Sequence, residues 1–394
     1  MPGYLTQQLH DVPRDMRGLL FLQFLMSLSS LMALPLMAVH MSAHLDLNAF
    51  VIGSVFTIHL AFGRALPIVT GPMVDRFGFR GAMVFGLLVR GCGFLLFGSA
   101  EASEGVIGSA LLIGLGTATY ESALYGVFGR QPAAILSRVF VINNFALNLG
   151  VVIGPFLGVL LADGDVVVPF RAAGILFVLL GFWSVRFSYL DRCYSSRSAV
   201  TKSWLSVIRN RRFLVFLAVT LPWWIVYAQL FVGFPVMAVQ ITGQESAANL
   251  VFITNGATGL IFVAVSLFAF RWISAPAMTT LSYMLLVSAY LMPLLGSGLV
   301  WFLAVVFVYT IAETLILPSL ETITAALAPD GSQSTYFGAL GLVWGVGSAV
   351  GSYVGSWLVL DVRTSSVIWV IYAAIAATGL MGAFLFKRQV AVST

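Results

Sequence analysis

The sequence predicts an all-α membrane protein whose twelve transmembrane helices form two related six-helix bundles. The first observation is composition: hydrophobic residues make up 60% of the 394 residues and charged residues only 9%, against roughly 25% charged in soluble domains. The mean hydropathy of +0.99 leaves too little polar surface to cover a large soluble domain. The second observation is a set of long apolar runs, and the third is a phrase repeated in both halves of the chain.

Each long apolar run is predicted to be a transmembrane helix. Crossing the hydrocarbon core takes about 20 residues of helix, and a helix satisfies its backbone hydrogen bonds within one segment. The first run is too long for the core of a signal peptide and no small-residue cleavage site follows it, so we expect it to be retained. The predicted spans, one to twelve, are 18–40, 50–72, 81–100, 105–127, 137–161, 170–190, 213–241, 247–269, 277–296, 299–327, 334–359 and 365–386.

The longest polar stretch, residues 191–212, divides these spans six and six. It is Ser-rich at first and basic at its end, which is typical of a connecting segment. We interpret it as a cytoplasmic linker between an N-terminal bundle, residues 1–190, and a C-terminal bundle, residues 213–394.

Two sequence matches indicate that the second bundle duplicates the first. "LPLMAVHM" at 34–41 returns as "FPVMAVQI" at 234–241, in spans one and seven. "GVVIGPFLGVLL", from Gly150 in span five, returns as "GSAVGSYVGSWL", from Gly347 in span eleven, with glycine every fourth residue in both. The matches occur in the same order in each half. Transporters built from such repeats place the substrate between the halves and move one against the other.

The basic residues predict the orientation of the chain. Of the 20 Lys and Arg, sixteen fall on the side that holds both termini, and the opposite side carries mostly Asp and Glu. Because positively charged loops stay in the cytoplasm, both termini are expected to be cytoplasmic, in a multi-pass protein of the inner (plasma) membrane. The net charge of +5 is explained by this topology, and no nucleic-acid partner is predicted.

Few residues indicate catalysis, cofactors or metals. Cys92 lies in a span and Cys193 in the linker, so neither a disulfide nor a metal framework is predicted. His40 and His44 fall at the outer interface and are expected to be interfacial polar residues. With no nucleotide-binding loop and no clustered nucleophile, base or metal set, the sequence predicts neither an enzyme nor a cofactor.

The loop "GPMVDRFGFRG", residues 71–81, connects spans two and three on the cytoplasmic side. An anion such as Asp75 is favoured at a helix N-terminus, and nearby arginines can bond carbonyls or anionic headgroups. The loop resembles the signature loop of the major facilitator superfamily, which packs on the second half and stabilises the outward-facing state. The resemblance implies that Asp75 faces span eleven, starting near Gly338, and that the gating residues are Gly71, Asp75, Arg76, Gly78 and Arg80.

The glycine ladder of span five resembles the motif that antiporters of this superfamily carry. Small residues four apart allow close helix contact, and Pro155 removes one backbone hydrogen bond and bends the helix. The resemblance implies antiport and adds Gly150, Gly154, Pro155 and Gly158 to the gating residues. The ladder of span eleven lacks the proline.

The resemblance runs nearly end to end, to the drug:proton antiporter branch and especially its MdtH-like bacterial efflux members. "DRFGFRGAMVFGLLVRGCGFLLFG" at 75–98 and "RNRRFLVF" before span seven carry much of it. It implies a fold of two pseudo-symmetric six-helix bundles and a proton-driven exporter. The chain departs from the pattern in span four, where these antiporters often carry an arginine near the position of Ala110.

Four ionisable residues lie within predicted spans. A charge at the bilayer centre costs roughly 2.5–3.5 kcal/mol on insertion scales, which makes it a functional hypothesis. Glu121 in span four and Glu313 in span ten are predicted to couple protons or bind substrate, since the resemblance implies that both spans line a central cavity. Arg64 in span two is a predicted contact for anionic substrate, and Arg90 in span three a structural charge.

Further substrate contacts are predicted from aromatic and amide side chains. Trp223, Trp224 and Tyr227 in span seven could stack on an aromatic or cationic substrate, although core packing explains them equally well. Polar residues in spans also bond across helices. The amide candidates are Asn143 in span five, Gln229 in span seven and Asn255 in span eight.

These features predict a secondary active transporter that works by alternating access. The first hypothesis is a proton-coupled antiporter, acting as a monomer, that exports amphipathic drugs or small metabolites. The alternative is a dedicated exporter, or importer, of one natural product such as a siderophore. The expected partners are a small-molecule substrate, protons and the lipid bilayer.

Overall fold

A computed structural model describes residues 12–47, 49–162, 165–187, 200–231, 233–243, 247–358 and 365–391. Within these ranges the regular structure is entirely helical. Each predicted span coincides with a helix or with two consecutive helices. Part of the predicted linker, together with Cys193, lies outside the described residues.

The helices of the first six spans follow the apolar runs closely. Span two is divided at Pro67, because proline removes a backbone donor and favours the start of a helix. A π-helical turn, His40–His44, continues span one. The helices are Arg14–Val39, Ala49–Ala65 with Pro67–Phe77, Phe79–Phe97, Ser103–Gly129, Ala133–Leu161 and Val168–Ser184.

The remaining helices begin with Val200–Arg209, which falls within the predicted linker. Span seven is divided by a short 3-10 turn, Ala228–Leu230, and span nine continues into a second turn, Met292–Leu294. The helices of spans seven to twelve are Arg211–Tyr227 with Gly233–Thr242, Ala247–Ala269, Ala275–Leu291, Leu299–Leu327, Gln333–Trp357 and Ser365–Ala391.

Nine of the described helices are long and apolar enough to cross a membrane on their own. Spans two, four and six are the exceptions. Span two is divided, span six is 17 residues long, and span four is rich in Gly, Ser and Thr. The polar span four is also the span that carries Glu121.

By contact, the chain forms two compact units. The first comprises Met1–Arg209 together with Thr324–Leu342, and the second comprises Asn210–Ile323 together with Val343–Thr394. The end of span ten and the start of span eleven therefore belong to the first unit. The division into residues 1–190 and 213–394 remains a prediction about sequence duplication.

Glycine ladders set the same helix pairing in both units. In the first unit, Gly150 and Gly154 of span five lie against Ser27 and Leu31 of span one, with no room for a Cβ atom. In the second, Gly351 of span eleven lies as closely against the backbone of span seven. Spans three and six also pack together, as do spans nine and twelve. The repeated sequence thus corresponds to repeated packing.

Buried tyrosines fix the packing of span nine on span seven. The Tyr283 and Tyr290 hydroxyls donate to the carbonyl oxygens of Val219 and Val226, at 2.6 and 3.1 Å. Both tyrosines are fully buried, and their spacing of seven residues places them two turns apart on one face. Each hydroxyl therefore finds a partner where the membrane supplies no water.

Candidate functional site

Close contact between spans three and four creates the candidate site. Gly116 of span four lies against the backbone of Arg90 and Gly86, where a Cβ atom would meet backbone atoms at 2.6 Å. Gly86 in turn leaves no room beside Tyr120. Because these glycines let the backbones approach, the Arg90 side chain lies directly along span four.

Beside this contact the first unit contains a polar cavity of about 160 Å³. Its walls come from spans one to five, and most of the lining side chains are polar or charged. The lining residues are Gln23, Ser27, Ser30, Leu31, Leu34, His59, Gly63, Arg64, Arg90, Thr117, Tyr120, Glu121 and Leu147. Three of the four ionisable residues predicted within spans, Glu121, Arg64 and Arg90, therefore share one cavity.

Arg64 and Glu121 form an ion pair on the wall of this cavity. Nη1 of Arg64 donates to Oε2 of Glu121 at 3.2 Å, between spans two and four. The side chains are 31% and 20% exposed, so the pair is accessible to small solutes and protons. Ala110, at the position where related antiporters often carry arginine, is fully buried, and the guanidinium facing Glu121 comes from span two.

Arg90 has neutral hydrogen-bond partners. Nη1 donates to the hydroxyls of Thr117 and Tyr120, the latter at 3.2 Å, and Nη2 donates to Oγ of Ser30 at 2.9 Å. The guanidinium also lies over the rings of Phe94, Tyr120 and Phe177, 4.9–5.6 Å from their centroids. In the described part of the chain no carboxylate pairs with Arg90. Its guanidinium instead donates hydrogen bonds to hydroxyls of spans one and four.

The cavity wall also carries buried polar atoms that lack a hydrogen-bond partner among the described residues. They are Oε1 of Gln23, Nδ1 of His59 and Nε of Arg90. A polar cavity with such atoms is suited to water or to a polar ligand.

The second unit holds the other predicted carboxylate. Oε2 of Glu313 accepts a hydrogen bond of 2.6 Å from Nδ2 of Asn255, which also donates to Oγ1 of Thr310 at 3.0 Å. Two predicted site residues are therefore in direct contact, between spans eight and ten. Among the described residues Glu313 has no cationic partner within ion-pair distance, unlike Glu121.

The predicted aromatic contacts belong to a packed cluster of the second unit. Trp223 is fully buried and Trp224 is 3% exposed. Trp224 stacks on Trp344 with ring centroids 4.8 Å apart, and Tyr227 lies edge-on to both Trp224 and Trp344. This geometry is that of core packing, the interpretation left open at the sequence level.

The predicted amides make structural contacts. Gln229 donates to the Gly351 carbonyl at 2.8 Å and accepts from the Tyr372 hydroxyl at 2.7 Å, joining spans seven, eleven and twelve. Asn143 donates to the Tyr125 hydroxyl at 3.4 Å. Neither residue lines the cavity of the first unit.

The loop after span two places Asp75 at the N-terminus of span eleven, which begins at Gln333 rather than near Gly338. The carboxylate accepts from the backbone N–H groups of Ser334 and Thr335, at 3.2 and 3.0 Å, and from the Thr335 hydroxyl at 2.8 Å. Arg130 lies 3.8 Å from it. Burial raises the pKa of Asp75, while the bonds from Thr335 and Ser334 and the Arg130 charge oppose that shift.

The other predicted gating residues of this loop lie near this contact, whereas those of span five pack against span one. Gly71 packs against the Ser334 backbone with no room for a side chain. Gly78 joins two helices at φ 104°, a conformation that favours glycine. Arg80 donates to the Val185 carbonyl oxygen, and the exposed Arg76 lies over the Phe77 ring.

Sequence reasoning missed several residues of these two sites. Arg130, Ser334 and Thr335 carry no motif of their own and join Asp75 only through the fold. Thr117 and Tyr120 had a signal: with Glu121 they form a polar stripe at helical spacing in "TATYES".

The comparisons with known proteins agree with this architecture. Residues 19–351 match the family described as Major Facilitator Superfamily. The chain belongs to that superfamily. An uncharacterized MFS-type transporter of Mycobacterium tuberculosis strain H37Rv is 24% identical over 388 residues, covering 93% of this chain and 92% of the relative.

Two further proteins extend the comparison. The multidrug resistance protein MdtH of Escherichia coli K12 is 24% identical over 347 residues, covering 86% of this chain and 85% of MdtH. The crystal structure of the transporter FucP in the outward conformation superposes with a TM-score of 0.77 at 14% identity, covering 95% of this chain and 98% of FucP. The chain is therefore a multi-pass membrane transporter for a small-molecule substrate, with relatives among multidrug transporters.

Proposed function

We propose that the protein is a proton-coupled antiporter that exports amphipathic drugs or small metabolites across the inner membrane by alternating access. The Arg64–Glu121 ion pair on the wall of a polar cavity carries this proposal. The resemblance to MdtH-like efflux members and the antiporter motif of span five support the direction and the coupling. Both termini are placed in the cytoplasm because basic residues concentrate on their side.

Glu121 is proposed to exchange a proton for substrate. As a carboxylate it pairs with Arg64, and as a neutral acid it releases that guanidinium. The two states therefore differ by one charge on the cavity wall, which is the difference that a proton-coupled exchange requires. A substrate that binds to the ionised Arg64–Glu121 pair would be displaced when Glu121 takes up a proton, so substrate and proton exclude one another, as antiport requires.

Glu313 is proposed as a second protonatable carboxylate, in the second unit. The hydrogen-bond partner of Glu313, Asn255, is neutral. Protonation of Glu313 would therefore not separate it from a positively charged partner. Asp75 is proposed to act as a gate, because its bonds join the loop after span two to the start of span eleven.

A dedicated transporter of one acidic natural product, such as a siderophore, is the second candidate. The observation that favours it is a second guanidinium, Arg90, on the same cavity wall. Antiport of varied amphipathic compounds remains the first proposal because span five carries the complete Gly-Pro motif.

The test is transport in proteoliposomes with an imposed pH gradient, using ethidium as a cationic probe and fluorescein as an anionic one. The proposal predicts that the wild type moves at least one dye, that collapsing the gradient stops it, and that Glu121→Gln does the same. Glu104→Gln, the same change at an exposed site in span four, should transport normally. Movement of neither dye, or full transport by Glu121→Gln, contradicts the proposal.

A further inference from the structure

The environment of Arg90 is unusual for a charged residue at membrane depth. The side chain is 3% exposed, and its partners are hydroxyls and aromatic rings. A buried cation is stabilised best by a paired anion. Within the described residues no anion fills that role, and Nε of the guanidinium has no hydrogen-bond partner.

The charges on the cavity wall do not balance. Arg64 and Arg90 contribute two positive charges and Glu121 one negative charge, and His59 is counted as neutral. Because Glu121 already pairs with Arg64, the excess charge is the one on Arg90. One further negative charge would make the wall neutral.

The size of the cavity indicates what could carry that charge. Its volume is about 160 Å³, and an apolar cavity of about 150 Å³ holds a benzene molecule. Leu31, Leu34 and Leu147 supply apolar wall beside the polar groups. A ligand with one anionic group on a body of roughly benzene size matches the volume, the charge and the mixed lining.

We propose that the cavity of the first unit is the binding site for the carboxylate of a small amphipathic monoanion, with the Arg90 guanidinium as its anchor. The proposal rests on the proposed transport function and assigns it a substrate class. Arg90 then has a role besides holding together spans one, three and four through Ser30, Thr117 and Tyr120.

The test is calorimetric binding to the purified full chain in lipid nanodiscs, with benzoate as the probe and benzamide as its uncharged match. Sodium chloride, titrated separately, distinguishes an organic carboxylate from a simple inorganic anion. We expect benzoate to bind at least tenfold more tightly than benzamide. Equal binding of the two probes, or Arg90-dependent binding of chloride without benzoate, would overturn the proposal.

Variants separate ligand binding from a structural role of Arg90. Arg90→Gln should weaken benzoate binding at least tenfold and Arg90→Lys should restore part of it, while the exposed Arg171→Gln should bind as the wild type does. The double variant Arg64→Gln/Glu121→Gln removes the ion pair as a whole and leaves the Arg90 charge on the wall, so benzoate should bind with wild-type affinity. That result is a readout that holds even where Arg90→Gln does not fold, and a purely structural Arg90 would not produce it. Loss of benzoate binding in the double variant would contradict the assignment.

Failure of this inference and failure of the transport proposal give different results. Gradient-driven, Glu121-dependent movement of ethidium without benzoate binding would support the antiporter proposal and contradict the carboxylate site. Arg90-dependent benzoate binding in a protein that moves neither dye would support the carboxylate site and contradict the antiporter proposal.

Discussion

Replacing Asp75 by asparagine should release the loop after span two from the start of span eleven. The carboxylate accepts three hydrogen bonds, from the backbone of Ser334 and Thr335 and from the Thr335 hydroxyl, and Arg130 lies 3.8 Å away. Hydrogen bonds to a charged group contribute about 1.5–3 kcal/mol each. The side-chain oxygen of asparagine could still accept part of these hydrogen bonds. Its NH₂ group cannot accept any, and it would face the remaining N–H or O–H donors.

The net loss is about 3 kcal/mol, which corresponds to roughly a 100-fold shift in the equilibrium between the joined and released loop. Spin labels at Phe77 and Asp330, both exposed, would report it in a background in which serine replaces Cys92 and Cys193. The wild type should give one distance, and Asp75→Asn should add a second, longer one.

The control for this measurement is Glu104→Gln, a charge removal in span four that touches neither the loop nor span eleven. It should leave the distance distribution unchanged. The same distribution in Asp75→Asn and the wild type would refute the assignment of a gate to Asp75.

The remaining predictions concern helix packing and the Asn255–Glu313 pair. Gly116→Ala should lower the folded yield on size-exclusion chromatography, because the new Cβ meets the Arg90 backbone, whereas Gly81→Ala, with open space around it, should not; equal yields would contradict the close contact. Tyr283→Phe should lower the free energy of unfolding in mixed micelles by about 1 kcal/mol through loss of its bond to Val219, and an unchanged value would show that this bond adds no net stability. Asn255→Leu should slow dye transport because Glu313 loses its donor, and wild-type transport would remove the pair from the mechanism.

Much of the fold could be predicted from the sequence, because the bilayer imposes a strong and local rule. Every predicted span has its helix, since backbone groups in hydrocarbon must bond within the segment. The glycine ladders also had a visible signal, because close helix contact requires small residues four apart. The division of span two at Pro67 was not predicted, although the proline is visible, because apolar runs continue on both sides of it.

The candidate site could be predicted only in part. Glu121 and Arg64 were visible as charges in apolar runs, but their pairing depends on how spans two and four pack. Arg90 is predictable as a structural charge, but no sequence pattern indicates that its partners are hydroxyls from two other spans. The hydrogen-bond donors to Asp75 at the start of span eleven lie about 260 positions away in the sequence. Local sequence patterns do not predict such a contact.

The central claim is that substrate leaves in exchange for a proton at the Arg64–Glu121 pair. It is tested most directly by following external pH with an electrode, while proteoliposomes loaded with a transported dye are diluted into weakly buffered, dye-free medium. The account predicts that dye efflux draws protons inward and makes the medium alkaline in the wild type, with no pH change in Glu121→Gln. Dye efflux from the wild type at constant external pH would contradict it.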